Sequence, residues 1–144
     1  MHRVNRSILV TYSAEQMFDL VSDVDRYPEF LPWCGSAQVR PLGDDAVEAA
    51  ITIDFRGVRS RFATRNVHVR PSEIRMQLVD GPFRRLEGQW RFRVLRPDAC
   101  RVELLLRYEF ASGLLGRAIA PVFDGISASL VDSFSQRADA LYAR

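Results

Sequence analysis

From about residue 36 to residue 111, apolar and polar side chains alternate with a period of two, and this pattern sets the fold class. Successive side chains on a strand point to opposite faces. Such a run therefore lies with one face buried and the other in water. In VEAAITIDF, Val47, Ala49, Ile51, Ile53 and Phe55 alternate with Glu48, Thr52 and Asp54. VRSRFATRNVHV sets Arg59, Arg61 and Arg65 against Val58, Phe62, Thr64 and His68. In SEIRMQLV, Ile74, Met76 and Leu78 share a face. RRLEGQWRFRVL puts Leu86, Trp90, Phe92 and Val94 opposite Glu87, Gln89, Arg91 and Arg93. CRVELLLRYEF puts Val102, Leu104, Leu106, Tyr108 and Phe110 opposite Arg101, Glu103, Arg107 and Glu109. The turn sequences PLGDD, RG, RPSE and RPDA join consecutive strands, which predicts an antiparallel meander.

The period then lengthens to that of a helix. Ile119, Phe123, Ile126, Leu130, Phe134, Ala138 and Leu141 form an apolar stripe over roughly 114–142. Pro121 and Gly125 fall inside it and predict a kink or an irregular start. Ahead of the sheet, RVNRSILVTY (3–12) predicts a first strand with Val4, Ile8 and Val10 on one face. Ser13 with Gln16 three residues on makes a capping box, after which Met17, Phe18, Val21 and Val24 recur at helical spacing. A second short helix is expected over about 26–31, capped by Asp25 and stopped by Pro32. The order is strand, two helices, about six strands, one long helix, which is α+β with the helices on one face of the sheet. A long helix across a curved sheet need not fill its concavity, so an apolar cavity between them is expected.

The 144 residues are expected to form one domain, 1–144. With 47% hydrophobic and 26% charged residues, the composition is that of a globular chain. No apolar run of about 18 residues is present, and MHRVNRSILV lacks the features of a signal peptide. The expected location is the cytoplasm. All 20 basic residues are arginine, and 18 acids leave a net charge of +2. That total implies no broad nucleic-acid footprint, and DNA is not an expected partner. Cys34 and Cys100 lie far apart and outside any CxxC pair, so reduced thiols are expected.

Three blocks, VDRYPEFLPWC (24–34), LVDGPFRRLEGQWRF (78–92) and LVDSFSQRADALY (130–142), together resemble the coenzyme Q-binding protein family. That family belongs to the START-like, helix-grip superfamily of hydrophobic-ligand carriers. The resemblance covers essentially the whole chain. It implies a helix-grip fold, with a curved antiparallel sheet of about seven strands wrapped around the long C-terminal helix. It also implies binding of ubiquinone or a related prenyl lipid in support of respiration, with no separate cofactor; transient contact with the inner membrane surface is a further expectation. Some bacterial members are instead described as ribosome-association toxins that block subunit joining, and older names in the family are those of oligoketide cyclases. A ribosome is therefore the alternative expected partner, and polyketide cyclisation a third function.

The ligand-lining residues expected are Phe30, Leu31, Trp33, Phe62, Thr64, Phe83, Leu86, Trp90, Ile119, Phe123 and Ile126. The corner at 24–34 serves either as core packing or as the rim of a cavity mouth. Gly88, between Leu86 and Trp90, marks either a bend in the sheet or room for a ligand beside Trp90. Ser60, Thr64, Asn66 and His68 fall on an inward face; they either find partners there or, for Thr64 and Asn66, donate to quinone carbonyls. GLLGRAIAPVF (113–123) and PEFLPW (28–33) are candidates to shield a protruding tail or touch a bilayer. The only histidines are His2 and His68, and no nucleophile triad, HExxH or phosphate loop is present. No catalytic residue and no metal ligand is expected, and the chain is not expected to be an enzyme. Arg59, Arg61 and Arg65 on one outward face, and Arg91 and Arg93 on another, are interspersed with Asp54, Glu87, Glu103 and Glu109. They read as a solvated face with cross-strand ion pairs or as a patch for backbone phosphates.

Overall fold

A computed structural model describes residues 2–143. Seven strands, β1 (His2–Val10), β2 (Cys34–Pro41), β3 (Ala46–Phe55), β4 (Val58–Val69), β5 (Glu73–Asp80), β6 (Phe83–Arg96) and β7 (Ala99–Phe110), form one antiparallel sheet. Their order across it is β1-β7-β6-β5-β4-β3-β2. The first strand thus pairs with the last, and the meander between them bends into a grip. Two α-helices, α1 (Ala14–Ser22) and α2 (Leu114–Tyr142), sit against the inner face.

The local signals hold where chemistry is strongest. The Ser13 hydroxyl accepts from the Gln16 amide at 3.0 Å and the Gln16 side chain accepts from the Ser13 amide at 2.9 Å, closing the capping box of α1. The turn at 56–57 needs positive φ at both residues, 51° at Arg56 and 79° at Gly57, as a two-residue hairpin connection does. Met17, Leu31, Ile53, Leu104, Ile119 and Phe134 form the most deeply buried part of a single core.

Three expectations are corrected. The second helix is a 3-10 helix over Val24–Glu29, not an α-helix over 26–31, and Asp25 does not cap it. Pro28 lies inside it; lacking an N–H and disfavouring α geometry at Tyr27, it leaves the tighter turn as the available form. Pro121 lies inside α2, which is continuous from Leu114 to Tyr142. Pro121 and Arg117 are both solvent-exposed, so the carbonyl that Pro121 leaves unbonded faces water. Val94 is 64% exposed, because the far end of the β6–β7 hairpin extends beyond the helices that cover the sheet. Leu141 is 50% exposed; Tyr142 takes its place, its hydroxyl donating to the Gln16 carbonyl at 3.3 Å.

By length and composition α2 could cross a bilayer, with a mean hydropathy of 1.4 over its most apolar window. Its stripe of Ile119, Phe123, Ile126, Phe134 and Ala138 is instead buried within the protein core.

Candidate functional site

Between α2 and the inner face of the sheet lies a partly open cavity of about 80 Å³. Trp33, Phe62, Thr64, Leu86, Trp90, Phe123 and Ile126, all expected ligand contacts, line it. Phe30, Leu31, Phe83 and Ile119 do not. Phe30 packs edge-on against Phe134, with the Arg137 guanidinium 4.9 Å from its ring centre. Leu31, 1% exposed, sits inside the corner and accepts from the Cys34 amide; it is too deep to touch a bilayer. Phe83 belongs to an aromatic cluster with Phe62, Phe110 and Phe123 at the β5–β6 turn end, its ring centre 4.9 Å from that of Phe123. Ile119 is fully buried one helical turn before Phe123.

The sequence reading missed other parts of the lining. Ala49, Ile51 and Ile53 of β3, Met76 of β5, and Leu104 and Leu106 of β7 share the inward face with the expected residues. Their period-two alternation was the available signal. Val24 and Tyr27 close one side from the 3-10 helix, and Ser127, Leu130 and Phe134 contribute from α2. The Tyr27 hydroxyl donates to the Val21 carbonyl, and burial raises its pKa, so it stays a neutral donor.

Polar atoms in this lining are few, and one pair is built into it. Thr64 and Asn66, 7% and 6% exposed, project from β4. The Thr64 hydroxyl donates to Asn66 Oδ1 at 2.7 Å, which orients the amide. Among the described residues the one fully buried side-chain polar atom without a partner is Arg137 Nε, so the Asn66 amide nitrogen is open to the cavity space and is not a sealed donor. Facing that space from the cavity lining, it is placed to donate to a carbonyl or similar acceptor on a ligand.

A second polar group, which sequence reasoning did not assemble, links the cavity wall to solvent. Ser127 donates to the Phe123 carbonyl at 2.9 Å and lies 3.3 Å from the Tyr108 hydroxyl. Tyr108 donates to Asp124 at 2.6 Å, and His2 Nδ1 lies 3.3 Å from the same carboxylate. The His2 ring stacks on Tyr108 with centres 5.1 Å apart. Burial, aided by the bond to Asp124, pushes the Tyr108 hydroxyl up to about 12, so at neutral pH it donates rather than acting as a base.

Cys34 and Cys100 are buried and free, and burial pushes both thiols up to about 11, far from a reactive thiolate. Among the described residues no three His, Cys, Asp or Glu side chains gather as a metal site would need.

The cavity as it stands is below the ~150 Å³ that holds a benzene and the ~300 Å³ of ordinary ligand pockets. Admitting a ring and tail requires Met76, Phe123 or Leu130 to swing, or α2 to shift. Methionine is the most adaptable of these side chains.

A curved sheet gripping a long helix around an apolar cavity defines a START-like fold, shared with solved structures such as the Zhui aromatase/cyclase of Streptomyces sp. R1128. That likeness has a TM-score of 0.82 at 14% identity over 99% of this chain and 97% of the other, and it concerns the fold alone. The chain belongs to the polyketide cyclase/dehydrase and lipid transport family, whose pattern matches residues 10–135. It is 42% identical to the ribosome association toxin RatA of Pseudomonas aeruginosa over 139 residues, 96% of each chain. It is 30% identical to the mitochondrial coenzyme Q-binding protein COQ10 homolog B of Xenopus laevis over 97% of this chain and 59% of that protein. The resemblance carried by the three sequence blocks is thereby borne out at the level of family and fold.

Proposed function

We propose that this chain binds a prenylated lipid with a carbonyl-bearing head, a quinone of the ubiquinone class, between the sheet and α2. It carries that cargo in the cytoplasm and at the membrane surface without chemistry of its own. The observation that carries this reading is the Asn66 amide, unpaired inside an otherwise apolar cavity. Apolar walls of Trp33, Phe62, Trp90 and Phe123 suit a ring and an isoprenoid chain, while Asn66 suits the ring carbonyl. The 30% identity to a protein named for coenzyme Q binding supports the same class. At ~0.8 kcal/mol per buried CH₂, one isoprene unit contributes on the order of 4 kcal/mol before costs. Two or three such units reach the ~8 kcal/mol of micromolar binding. A longer tail has to leave through a mouth.

The test is solvent extraction of the purified protein from quinone-producing cells, with mass spectrometry of the extract. Wild type is expected to yield a prenylquinone, Trp90→Arg none, and Asn66→Leu a markedly smaller amount, each variant folded by circular dichroism. Extracts of wild type free of quinone would overturn the reading, and undiminished quinone in Asn66→Leu would remove the amide from it.

A second reading is association with the ribosome. Identity of 40–42% over nearly the full chain to proteins named ribosome association toxins favours it. The cavity reading and the ribosome reading are compatible in one molecule.

A further inference from the structure

We propose that the outer face of the sheet binds an RNA strand through its phosphates, in a groove across β1, β7, β6, β5 and β4. The proposal rests on the ribosome-association reading and gives it a surface. The groove holds about 670 Å³ on the side of the sheet away from α2. Four arginines line it, Arg3, Arg65, Arg75 and Arg107, against one carboxylate, Glu87. This concentration of charge contrasts with a whole-chain net of +2.

The register explains the arrangement. Arg3 pairs with Arg107, Arg107 with Glu87, Glu87 with Gln77, and Gln77 with Arg65, a single row over five strands. At ~4.8 Å between strands the row is roughly 19 Å long, enough for several phosphates of one strand at ~3.4 Å or more each. Arg107 leans toward Glu87 at 3.7 Å and Arg75 pairs with Glu73 at 3.0 Å. Arg3 and Arg65, at the two ends of the row, are exposed and have no carboxylate partner among the described residues. An unpaired guanidinium is free to fork a phosphate, and its plane can stack on an unpaired base.

The floor also fits a nucleotide strand. Gly88 of β6 lines the groove and places no side chain in it. Val67 and Leu105 give it apolar patches, and Asn5, Gln77 and Gln89 add donors and acceptors for 2′-hydroxyls and base edges. A recessed groove does not meet a flat bilayer, which disfavours lipid headgroups as the occupant.

The test uses the full chain and a fluorescein-labelled uridine dodecamer, followed by anisotropy at rising salt. Wild type is expected to bind, with affinity falling as salt rises. Arg3→Gln/Arg65→Gln is expected to weaken binding about tenfold or more and to flatten the log–log salt slope by ~1.4, at ~0.7 per phosphate released. Its melting temperature and bound lipid are expected to match wild type. No binding by wild type, an unaffected double variant, or equal binding of a polyglutamate of the same length would overturn the proposal. Ribosome co-sedimentation separates the two levels. Undiminished co-sedimentation of the variant overturns this surface and leaves ribosome association intact. Dodecamer binding with the expected loss in the variant, but no co-sedimentation of wild type, supports the groove and removes ribosome association.

Discussion

At the scale of single residues, burial decides which polar groups are spectators and which carry information. His68 lies on the inner face of β4 with its ring edge-on to Phe18, centres 5.7 Å apart. Burial lowers its pKa below the ordinary 6.5, and the opposing attraction of Asp45 is the smaller effect. The folded state therefore resists a proton that the unfolded chain accepts. The stability involved is fully present above about pH 6.5 and is lost as pH falls below it, toward the lowered folded value. Urea midpoints are expected to drop between about pH 7.5 and 5.5, with a shallower drop in His68→Gln. Equal slopes in the two proteins would assign the effect to other groups. Asn66 is the contrasting case, since no titration is involved and its value lies in two unused donors held in place by Thr64.

Among the elements, α2 does two jobs along its length. Its middle supplies Phe123, Ile126, Ser127 and Leu130 to the cavity, while its first turn leaves Leu114 and Leu115 exposed at 85% and 54%. With Leu31 buried, these two leucines are what remains of the bilayer-touching segments expected from sequence. Flotation with anionic liposomes is expected to fall severalfold in Leu114→Gln/Leu115→Gln, and unchanged flotation would place membrane contact elsewhere. Element type was legible because the periods are strong: two along every strand, then 3.6 along α2. The 3-10 helix was not, because Pro28 tips a choice between two helical forms that share the same apolar spacing. The site was legible in part, since inward parity identifies Phe62, Leu86 and Trp90 but cannot say where along each strand the cavity stops. Phe83 and Ile119 face inward yet pack beyond that end. The partnership of His2 with Asp124 joins residues at opposite ends of the chain and depends on β1 pairing with β7. No local signal in the sequence carries such a pairing.

For the whole molecule the unfilled cavity is the feature that packing alone does not explain. Sealed and dry, an 80 Å³ void would cost about 2 kcal/mol at ~24 cal/mol per Å³, a substantial share of the ~5–15 kcal/mol that holds a domain together. A fold maintained only for stability would close it with one larger side chain. Ala49, 3% exposed, lines the cavity from β3, where a valine would add two methyl groups. Ala49→Val is therefore expected to raise the melting temperature by a few degrees, about 1 kcal/mol of stability, while sharply reducing the lipid that co-purifies. RNA binding on the outer groove is expected to persist, since the substitution leaves Arg3 and Arg65 untouched. A more stable protein that has lost its cargo would mean the void is kept for the ligand, in the sense that function here is held against stability. A variant less stable than wild type would mean the lining is already tightly packed around Ala49 and that ligand entry needs the helix, not the side chains, to move.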